Sequence, residues 1–309
     1  MLGAGEGLGH WHDGGDGAYH ALYQFTMSGE YEVDVGVGGV LAGGGDTKAV
    51  FVVPAAPCAE CFQADLSGLR RGVAGEPLHF TMEARDAFNN ACHFDLSKAR
   101  VVLRSEYTPG VQQTEVAGAL IPLRHNAAAC EVELVCPEAH LYRLETSYDG
   151  VAVEVAQTEL KVDPCETLPI KCTLFADTDI PDRRKAAGTT NGLKEAYLGI
   201  PAQFYIQARD EYGNPRRQGG DEVKVMCIPD EEPAVPPAGV HMADIGDGTY
   251  RVTYLACKVG DHKLSIWVND VMISNPYRVK VSSGMPPRVQ DQEKPSAVVE
   301  YGLKCGAFE

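Results

Sequence analysis

Two cysteines have the spacing of a metal-binding or redox-active pair. Cys58 and Cys61 are separated by two residues, the arrangement with which zinc sites and catalytic dithiols place their sulfur atoms. A zinc site of this kind needs a second pair of ligands, and a redox dithiol needs a helix after its first cysteine. The surrounding sequence predicts neither, so we expect ordinary linker cysteines, with a zinc or redox role as the alternative.

The other residues that could do chemistry also lack their partners. His10 and His12 stand two positions apart, which would place both imidazoles on one face of a strand, but no third metal ligand is near. The glycine-rich segment 3–9 lacks the lysine and the helix of a phosphate-binding loop. No serine–histidine–aspartate or cysteine–histidine set has supporting positions. We therefore expect no catalytic residue, no cofactor and no metal, and hence no enzyme.

The composition narrows the choice of partners and of compartment. The chain has 309 residues and a formal net charge of −16, so phosphate-rich nucleic acids and anionic membranes would be repelled. Its first residues do not resemble a secretory signal, and no apolar stretch is long enough to insert into a membrane. Ten cysteines without a recurring disulfide pattern favour reduced thiols. We expect a cytoplasmic protein whose partners are other proteins.

Two short motifs occur twice, and they show how the chain is built. Ala84-Arg85-Asp86 returns as Ala208-Arg209-Asp210, and Gly15-Asp16-Gly17 returns as Gly246-Asp247-Gly248. Echoes of this kind indicate a tandem array of one module. Such an array usually organises other proteins and catalyses nothing.

Between these motifs, apolar and polar residues alternate with a period of two, which predicts strands with one buried face. In the last copy the predicted strands are 203–208, 222–226, 250–254, 262–268 and 277–281. Glycine, asparagine and aspartate separate them at turns. The pattern predicts an all-β fold of antiparallel sandwiches of the immunoglobulin type.

The register of the repeats predicts four regions. Residues 1–54 (the N-terminal part) would hold only the last three strands of a copy, at about 17–24, 29–37 and 48–53. A whole but divergent copy (the middle copy) would occupy 55–163, and a further copy (the third copy) 164–283. Residues 284–309 would form a tail.

These motifs resemble those of the filamin-type immunoglobulin-like repeat. The third copy carries the Ala208-Arg209-Asp210 corner, then Gly213-Asn214-Pro215, Asp247 to Tyr250 at a strand start, and Asn275-Pro276-Tyr277 before the last strand. The middle copy keeps the corner and lacks the Asp-Gly-Thr-Tyr turn. The resemblance implies a chain of tandem filamin-type β-sandwiches.

In that family, the groove between the third and fourth strands receives a partner segment as an added strand. The resemblance therefore places candidate partner-binding residues on strands near 222–228 and 238–244, and near 98–104 and 116–124. They are Val223, Val225, Met226, Ile228, Val240 and Met242 in the third copy, and Val101, Leu103, Leu120 and Ile121 in the middle copy. Glutamate at Met226 or Met242 is expected to abolish binding.

Two further features bear on partners. Arg183, Arg184 and Lys185 lie in an insertion of the third copy, and they form either a solvated loop or a contact for an acidic partner such as tubulin or actin. The N-terminal part would leave an apolar sheet face uncovered. Either the chain is incomplete there, or another chain completes the half repeat.

The resemblance implies a cytoskeletal scaffold or cross-linking protein, on actin or on the microtubules of a ciliary axoneme. The alternative is a recognition module of a larger adhesion protein or ubiquitin ligase. An enzyme with accessory sandwiches would need a catalytic domain that the sequence does not indicate.

Overall fold

The structure, a computed structural model, describes residues 10–37, 39–41, 48–106, 113–155, 159–176, 191–230 and 239–284. Within these ranges the regular elements are strands and short 3-10 helices, so the predicted all-β fold is confirmed. No helix in the described part of the chain could cross a membrane. The chain divides into two compact units, Met1–Cys165 and Glu166–Glu309. The four predicted regions remain predictions.

The N-terminal part consists of short paired strands. They are β1 (His10–Asp13), β2 (Tyr19–Leu22), β3 (Gly29–Val33), β4 (Gly36–Val37), β5 (Val40–Leu41) and β6 (Lys48–Val52). β1 pairs with β2, β3 with β6, and β4 with β5, all antiparallel. The sequence predicted three strands here and missed β1, which contains the histidine pair and belongs to the same hairpin as β2.

The middle copy is a sandwich of two sheets. Its strands are β7 (Gln63–Asp65), β8 (Arg71–Val73), β9 (Pro77–Glu83), β10 (Ala99–Ser105), β11 (Glu115–Ala117), β12 (Ala119–Leu123), β13 (Asn126–Val135), β14 (Leu141–Tyr148), β15 (Val151–Ala152) and β16 (Glu159–Asp163). One sheet has the order β12-β13-β9-β7, and the other has the order β11-β10-β14-β16-β8 with β15 attached to β14. Their facing side chains form one apolar core.

The third copy has the same architecture. Its strands are β17 (Thr173–Phe175), β18 (Glu195–Tyr197), β19 (Ala202–Gln207), β20 (Val223–Pro229), β21 (Gly239–Asp244), β22 (Thr249–Leu255), β23 (Gly260–Val268), β24 (Val271–Met272) and β25 (Tyr277–Ser282). The sheets have the orders β17-β19-β22-β21 and β18-β25-β23-β20, with β24 attached to β23. Along β22 the buried side chains alternate with outward ones, as the period of two predicts. Each fully buried apolar side chain stabilises the fold by about 1.5–3 kcal/mol.

The repeated Ala-Arg-Asp motif forms a corner with a buried carboxylate in both copies. Asp86 accepts hydrogen bonds from the backbone N–H groups of Ala55, Phe88 and Asn90, at 2.8–2.9 Å. Its Oδ2 also accepts one from the Asn90 side-chain amide at 2.9 Å. Asp210 holds its own corner in the same way. The motif is therefore a structural element, because its charge is satisfied within the turn.

The corner of the middle copy also holds the N-terminal part. The backbone N–H of Ser28 donates to Oδ1 of Asn90, and Nδ2 of Asn90 donates to the carbonyl oxygen of Thr26, both at 2.9 Å. One asparagine thus bonds to the chain before β3 and to the Asp86 carboxylate.

Asp86 makes the stability of the first unit depend on acid pH. Burial alone would raise the pKa of Asp86, but hydrogen bonds from Asn90, Ala55 and Phe88 outweigh it and lower the pKa to about 2. The usual value in an unfolded chain is about 3.9. The carboxylate therefore contributes stability above about pH 4, and this contribution is lost as the pH falls through about 2. We expect the urea midpoint of Asp86→Asn, followed by circular dichroism, to lie below that of the unchanged chain at neutral pH and to approach it in acid. A gap that stays constant across this range would contradict the assignment.

Candidate functional site

The strand β20 lies at an edge of its sheet, and β21 lies at an edge of the opposite sheet. The two strands approach each other on the same side of the sandwich. β20 pairs with β23 on one side, and no strand in the described ranges pairs with its other side. Among the described residues, the third copy therefore presents β20 without a strand on its outer side, beside the second edge strand β21.

The backbone of β20 offers hydrogen-bonding groups to this free edge. The carbonyl oxygen of Glu222 accepts from Asn269 at 2.7 Å, and the N–H of Asp230 donates to the carbonyl of Asp261 at 2.8 Å. Since the direction of backbone groups alternates along a strand, the even-numbered residues face β23 and the odd-numbered ones face outward. Val225 and Cys227 thus direct both backbone groups to the free edge. Pro229 has no N–H to offer, so pairing on this edge ends before it.

The side chains of the two edge strands line a partly open apolar groove. Residues directly opposite each other in a ladder share a face of the sheet. Val225 lies opposite the buried Ile266, and Met242 lies opposite the buried Val252, so both point between the sheets. Met242 is nevertheless 39% exposed, because the sandwich is open at this side. Val240 faces the same way and is half-buried.

The remaining predicted residues of the third copy lie elsewhere. Val223 is buried in the core. Met226 lies opposite Ser265, so Met226 and Ile228 point to the outer face of the sheet, away from the core. The groove thus brings together Val225, Val240 and Met242, and the partner-binding role of all six residues stays a prediction.

The charged side chains next to the groove are paired with each other. Lys224 lies 2.7 Å from Asp270 and 2.9 Å from Glu222. Hydrogen bonds to Asp270 and then to Glu222 raise the pKa of Lys224 above its usual range. Lys263 pairs with Asp230 in the same way. These charges are therefore neutralised within the outer face, whereas Val225, Val240 and Met242 of the groove are apolar.

The equivalent edge in the middle copy is already covered. β10 pairs with β14 on one side and with β11 on the other. Val101 and Leu103 are 2% and 0% exposed and belong to the core. Leu120 faces inward opposite Val132, whereas Ile121 faces outward opposite Glu131. Their partner-binding role also stays a prediction, but the middle copy presents no free edge at β10.

Two determinants of this site escaped the sequence reasoning. Pro229 is visible in the sequence, but its effect depends on which way the backbone of β20 alternates. β11 spans only Glu115–Ala117, which is too short for a period of two to be recognised.

The pair of cysteines does not have the environment of a reactive dithiol. Cys58 and Cys61 are half-buried free cysteines; Cys58 precedes a short 3-10 turn at Ala59–Cys61, and Cys61 ends it. A hydrogen bond with the Cys58 thiol, and then burial, raise the pKa of Cys61, whereas reactive cysteines have a lowered pKa. In the described ranges no group of three or more histidine, cysteine, aspartate or glutamate side chains could hold a metal ion. Arg183, Arg184 and Lys185, and the tail from residue 285, lie outside the described residues.

Comparison with known proteins adds the following. Residues 181–278 match the family model of the Filamin/ABP280 repeat. Over 102 residues the chain is 36% identical to the E3 ubiquitin-protein ligase TRIM71 of Rattus norvegicus. The aligned segment covers 32% of this chain and 11% of that protein. Over 287 residues the chain is 25% identical to Filamin-C of Rattus norvegicus. This aligned segment covers 89% of this chain and 9% of that protein. The chain spans about a tenth of the length of these curated relatives.

Two solved structures are similar at low identity. The Lin-41 filamin domain aligns with a TM-score of 0.30 and 18% identity, over 38% of this chain and 98% of that one. The Escherichia coli adhesin FdeC aligns with a TM-score of 0.45 and 19% identity, over 88% of this chain and 80% of that one.

Proposed function

Because the chain is a filamin-type repeat protein, we propose that it is a non-enzymatic scaffold that binds partner proteins through its third copy. A partner segment would add as an extra strand to the free edge of β20. The observation that carries this proposal is the unpaired edge of β20 beside the groove of Val225, Val240 and Met242.

Edge strands are normally protected, because a row of unpaired N–H and C=O groups pairs readily with another chain. Proline at 229 limits the exposed row to the part of β20 from Val223 to Cys227. A short partner strand would satisfy these groups, which supplies affinity, while its alternate side chains meet different surfaces, which supplies selectivity.

The groove also indicates the chemistry of the partner segment. Every second side chain of an added strand would point between the two sheets, toward Val225 and Met242. An apolar residue fits there, because a charged one would be buried without a partner. The side chains in between would point to the outer face of the sheet, which is open to solvent at Met226, so a polar residue is tolerated there.

As to setting, we propose a cytoplasmic, cytoskeletal scaffold or cross-linker. The similarity to Filamin-C along most of the chain supports a cytoskeletal setting. Within it, our proposals are ciliary axonemal microtubules, with tubulin or axonemal proteins as partners, or actin-associated proteins. The second candidate is a recognition module of a larger ubiquitin ligase, which the similarity to TRIM71 over 102 residues favours.

The N-terminal part supports a second contact with another protein. Tyr19 is 63% exposed, whereas Tyr250, at the same position of the third copy, is 3% exposed. In the third copy, Tyr250 is part of the apolar core between the two sheets. We propose that strands of the same kind from another chain complete the N-terminal half repeat.

Substituting one methionine of the groove tests the proposed function. We expect Met242→Glu to weaken capture of partners by at least about tenfold, because the carboxylate would lose its water when a strand covers it. Affinity purification with mass spectrometry measures the capture. Tubulin and axonemal proteins among the Met242-dependent partners would favour the axonemal setting, and actin-associated proteins the other.

Met226→Glu is the matched control. It introduces the same charge on β20, but on the outer face opposite Ser265. We expect it to retain most of the capture, with both variants melting like the unchanged chain by circular dichroism. Equal retention of partners by both variants would rule out the groove as the binding site.

A further inference from the structure

In the middle copy, a segment of the chain itself pairs with the edge that no described strand covers in the third copy. β11 runs antiparallel to β10, with Val102 opposite Ala117, Leu103 opposite Val116 and Arg104 opposite Glu115. Strand β10 holds the position in its sheet that β20 holds in the third copy, because β10 pairs with β14 as β20 pairs with β23. The same surface is therefore covered by a strand in the middle copy and by no described strand in the third copy.

Backbone hydrogen bonds extend this pairing beyond the three residues of β11. The N–H of Ser105 donates to the carbonyl oxygen of Thr114, and the N–H of Gly118 donates to the carbonyl oxygen of Val101, both at 2.9 Å. The N–H of Thr114 also donates to the hydroxyl of Ser105 at 2.8 Å. Residues 113–118 thus satisfy the edge of β10 at both of its ends.

The side chains of the segment also match this edge. Val116 is half-buried against the core of the middle copy. Glu115 lies 2.7 Å from Arg100 and 3.1 Å from Arg104, which are both on the outer face of β10. The segment therefore places one apolar side chain inward and one carboxylate between two guanidinium groups.

Gly118 lets the segment leave this edge for the other sheet. A Cβ at this position would lie 3.0 Å from a methyl group of Val132 and 3.3 Å from Val101. Directly after Gly118 the chain continues into β12, which pairs with β13 in the opposite sheet. The crossing is tight, so the segment is anchored close to the edge that it covers.

We propose that residues 113–118 are an internal strand ligand, which closes the middle copy to external strands and leaves partner capture to the third copy. The edge of β10 would take a strand that carries a carboxylate next to an apolar residue, because Arg100 and Arg104 flank it. In the third copy, Lys224 and Ile228 hold the corresponding outer-face positions on β20, so only one cation is present and it is already paired. The two edges therefore select different strands.

Tethering explains why external strands do not compete. A short linker keeps a segment at an effective concentration in the millimolar range, far above that of an external protein. This inference rests on the proposed function in one respect: the edge of β10, like that of β20, is taken as a surface that binds strands. Its test needs no external partner.

The experiment uses the full chain and a labelled synthetic peptide with the sequence of residues 112–119, and measures fluorescence anisotropy. Val116→Asp in the chain would put a carboxylate between the sheets and expel the segment from the edge. We expect this variant to bind the peptide at least about tenfold more tightly than the unchanged chain does. A peptide with aspartate at the position of Val116 is the matched control and should not bind.

Hydrogen exchange on the same samples shows whether the middle copy is still folded. If Val116→Asp unfolds the middle copy, the experiment uses Glu115→Lys instead. Arg100 and Arg104 repel a lysine at this position, so the segment pairs less tightly with β10 and no charge is buried. A folded variant that fails to bind the peptide would overturn the inference, as would tight binding by the unchanged chain. Capture that depends on Met242 should be the same in all these chains, so a failure of the proposed function would be seen separately.

Discussion

Replacing Gly248 by alanine is expected to destabilise the third copy by about 4 kcal/mol, because strain and a steric clash act together. Gly248 has a φ of +83°, which side chains of L-residues rarely adopt. A Cβ there would lie 2.3 Å from the carbonyl oxygen of Arg216, a backbone atom that cannot rotate away. Hydrogen exchange with mass spectrometry, which reports on each copy separately, measures the loss as faster exchange in β19 and β22.

The N-terminal part offers a matched control. Gly17 has the same place in its Gly-Asp-Gly turn and a similar φ of +85°. No heavy atom lies within 4 Å of a Cβ built there, so alanine costs only the backbone strain, about 1–2 kcal/mol. Equal effects of the two substitutions would mean that the contact with Arg216 is unimportant.

The effect at Gly248 is large because two sequence motifs meet at this residue. The N–H of Ala208 donates to the carbonyl oxygen of Gly248, and the N–H of Arg216 donates to the carbonyl oxygen of Ala208, both at 2.9 Å. The Ala-Arg-Asp corner and the Asp-Gly-Thr-Tyr turn therefore stabilise each other, although about forty residues separate them in the chain.

Replacing Asp210 by alanine is expected to cost a similar amount, about 4 kcal/mol. Asp210 is fully buried and accepts hydrogen bonds from the N–H groups of Tyr212 and Asn214 and from the Asn214 side chain, at 2.8–3.0 Å. Its loss leaves these three part-buried donors without the acceptor that they share. Urea unfolding followed by the fluorescence of Trp267, which lies on β23, measures the change.

Asp247→Ala is the control for this substitution. Asp247 is exposed and its side chain accepts a hydrogen bond from the N–H of Thr249 at 2.9 Å. This is a single hydrogen bond to an exposed carboxylate, so we expect a loss of about 1 kcal/mol. If Asp210→Ala were as mild, the corner would not be the main support that its hydrogen bonds indicate.

Asp210 and Gly248 explain why much of the fold could be predicted from sequence. An aspartate four positions before an asparagine, and a glycine in a tight turn, act over a few residues, so their chemistry can be read directly. The alternation along β22 and β23 is equally local, since the buried face follows from the period of two. The strand β1 was missed because its four residues, His10–Asp13, contain a single apolar side chain, which is too few for a period of two to be recognised.

The candidate site was less predictable, for a reason that Met226 and Met242 illustrate. Both are apolar residues on neighbouring edge strands, and both were expected to meet a partner. The ladder places Met242 in the groove and Met226 on the outer face. A shift of one residue in pairing would exchange such faces, so the register must be known before the role of either can be assigned.

The sequence by itself predicted antiparallel β-sandwiches that resemble the filamin-type repeat, with corners built on Asp86 and Asp210. The corners depend on residues that are close together in the chain, so they recur in each copy that contains the motif. Only the tertiary structure decided which edge is open to another strand. β10 is covered because residues 113–118 return to it and Gly118 allows the crossing, whereas no described strand covers β20. Pairing between strands is a long-range contact, so two copies with the same corners can differ in what they leave exposed.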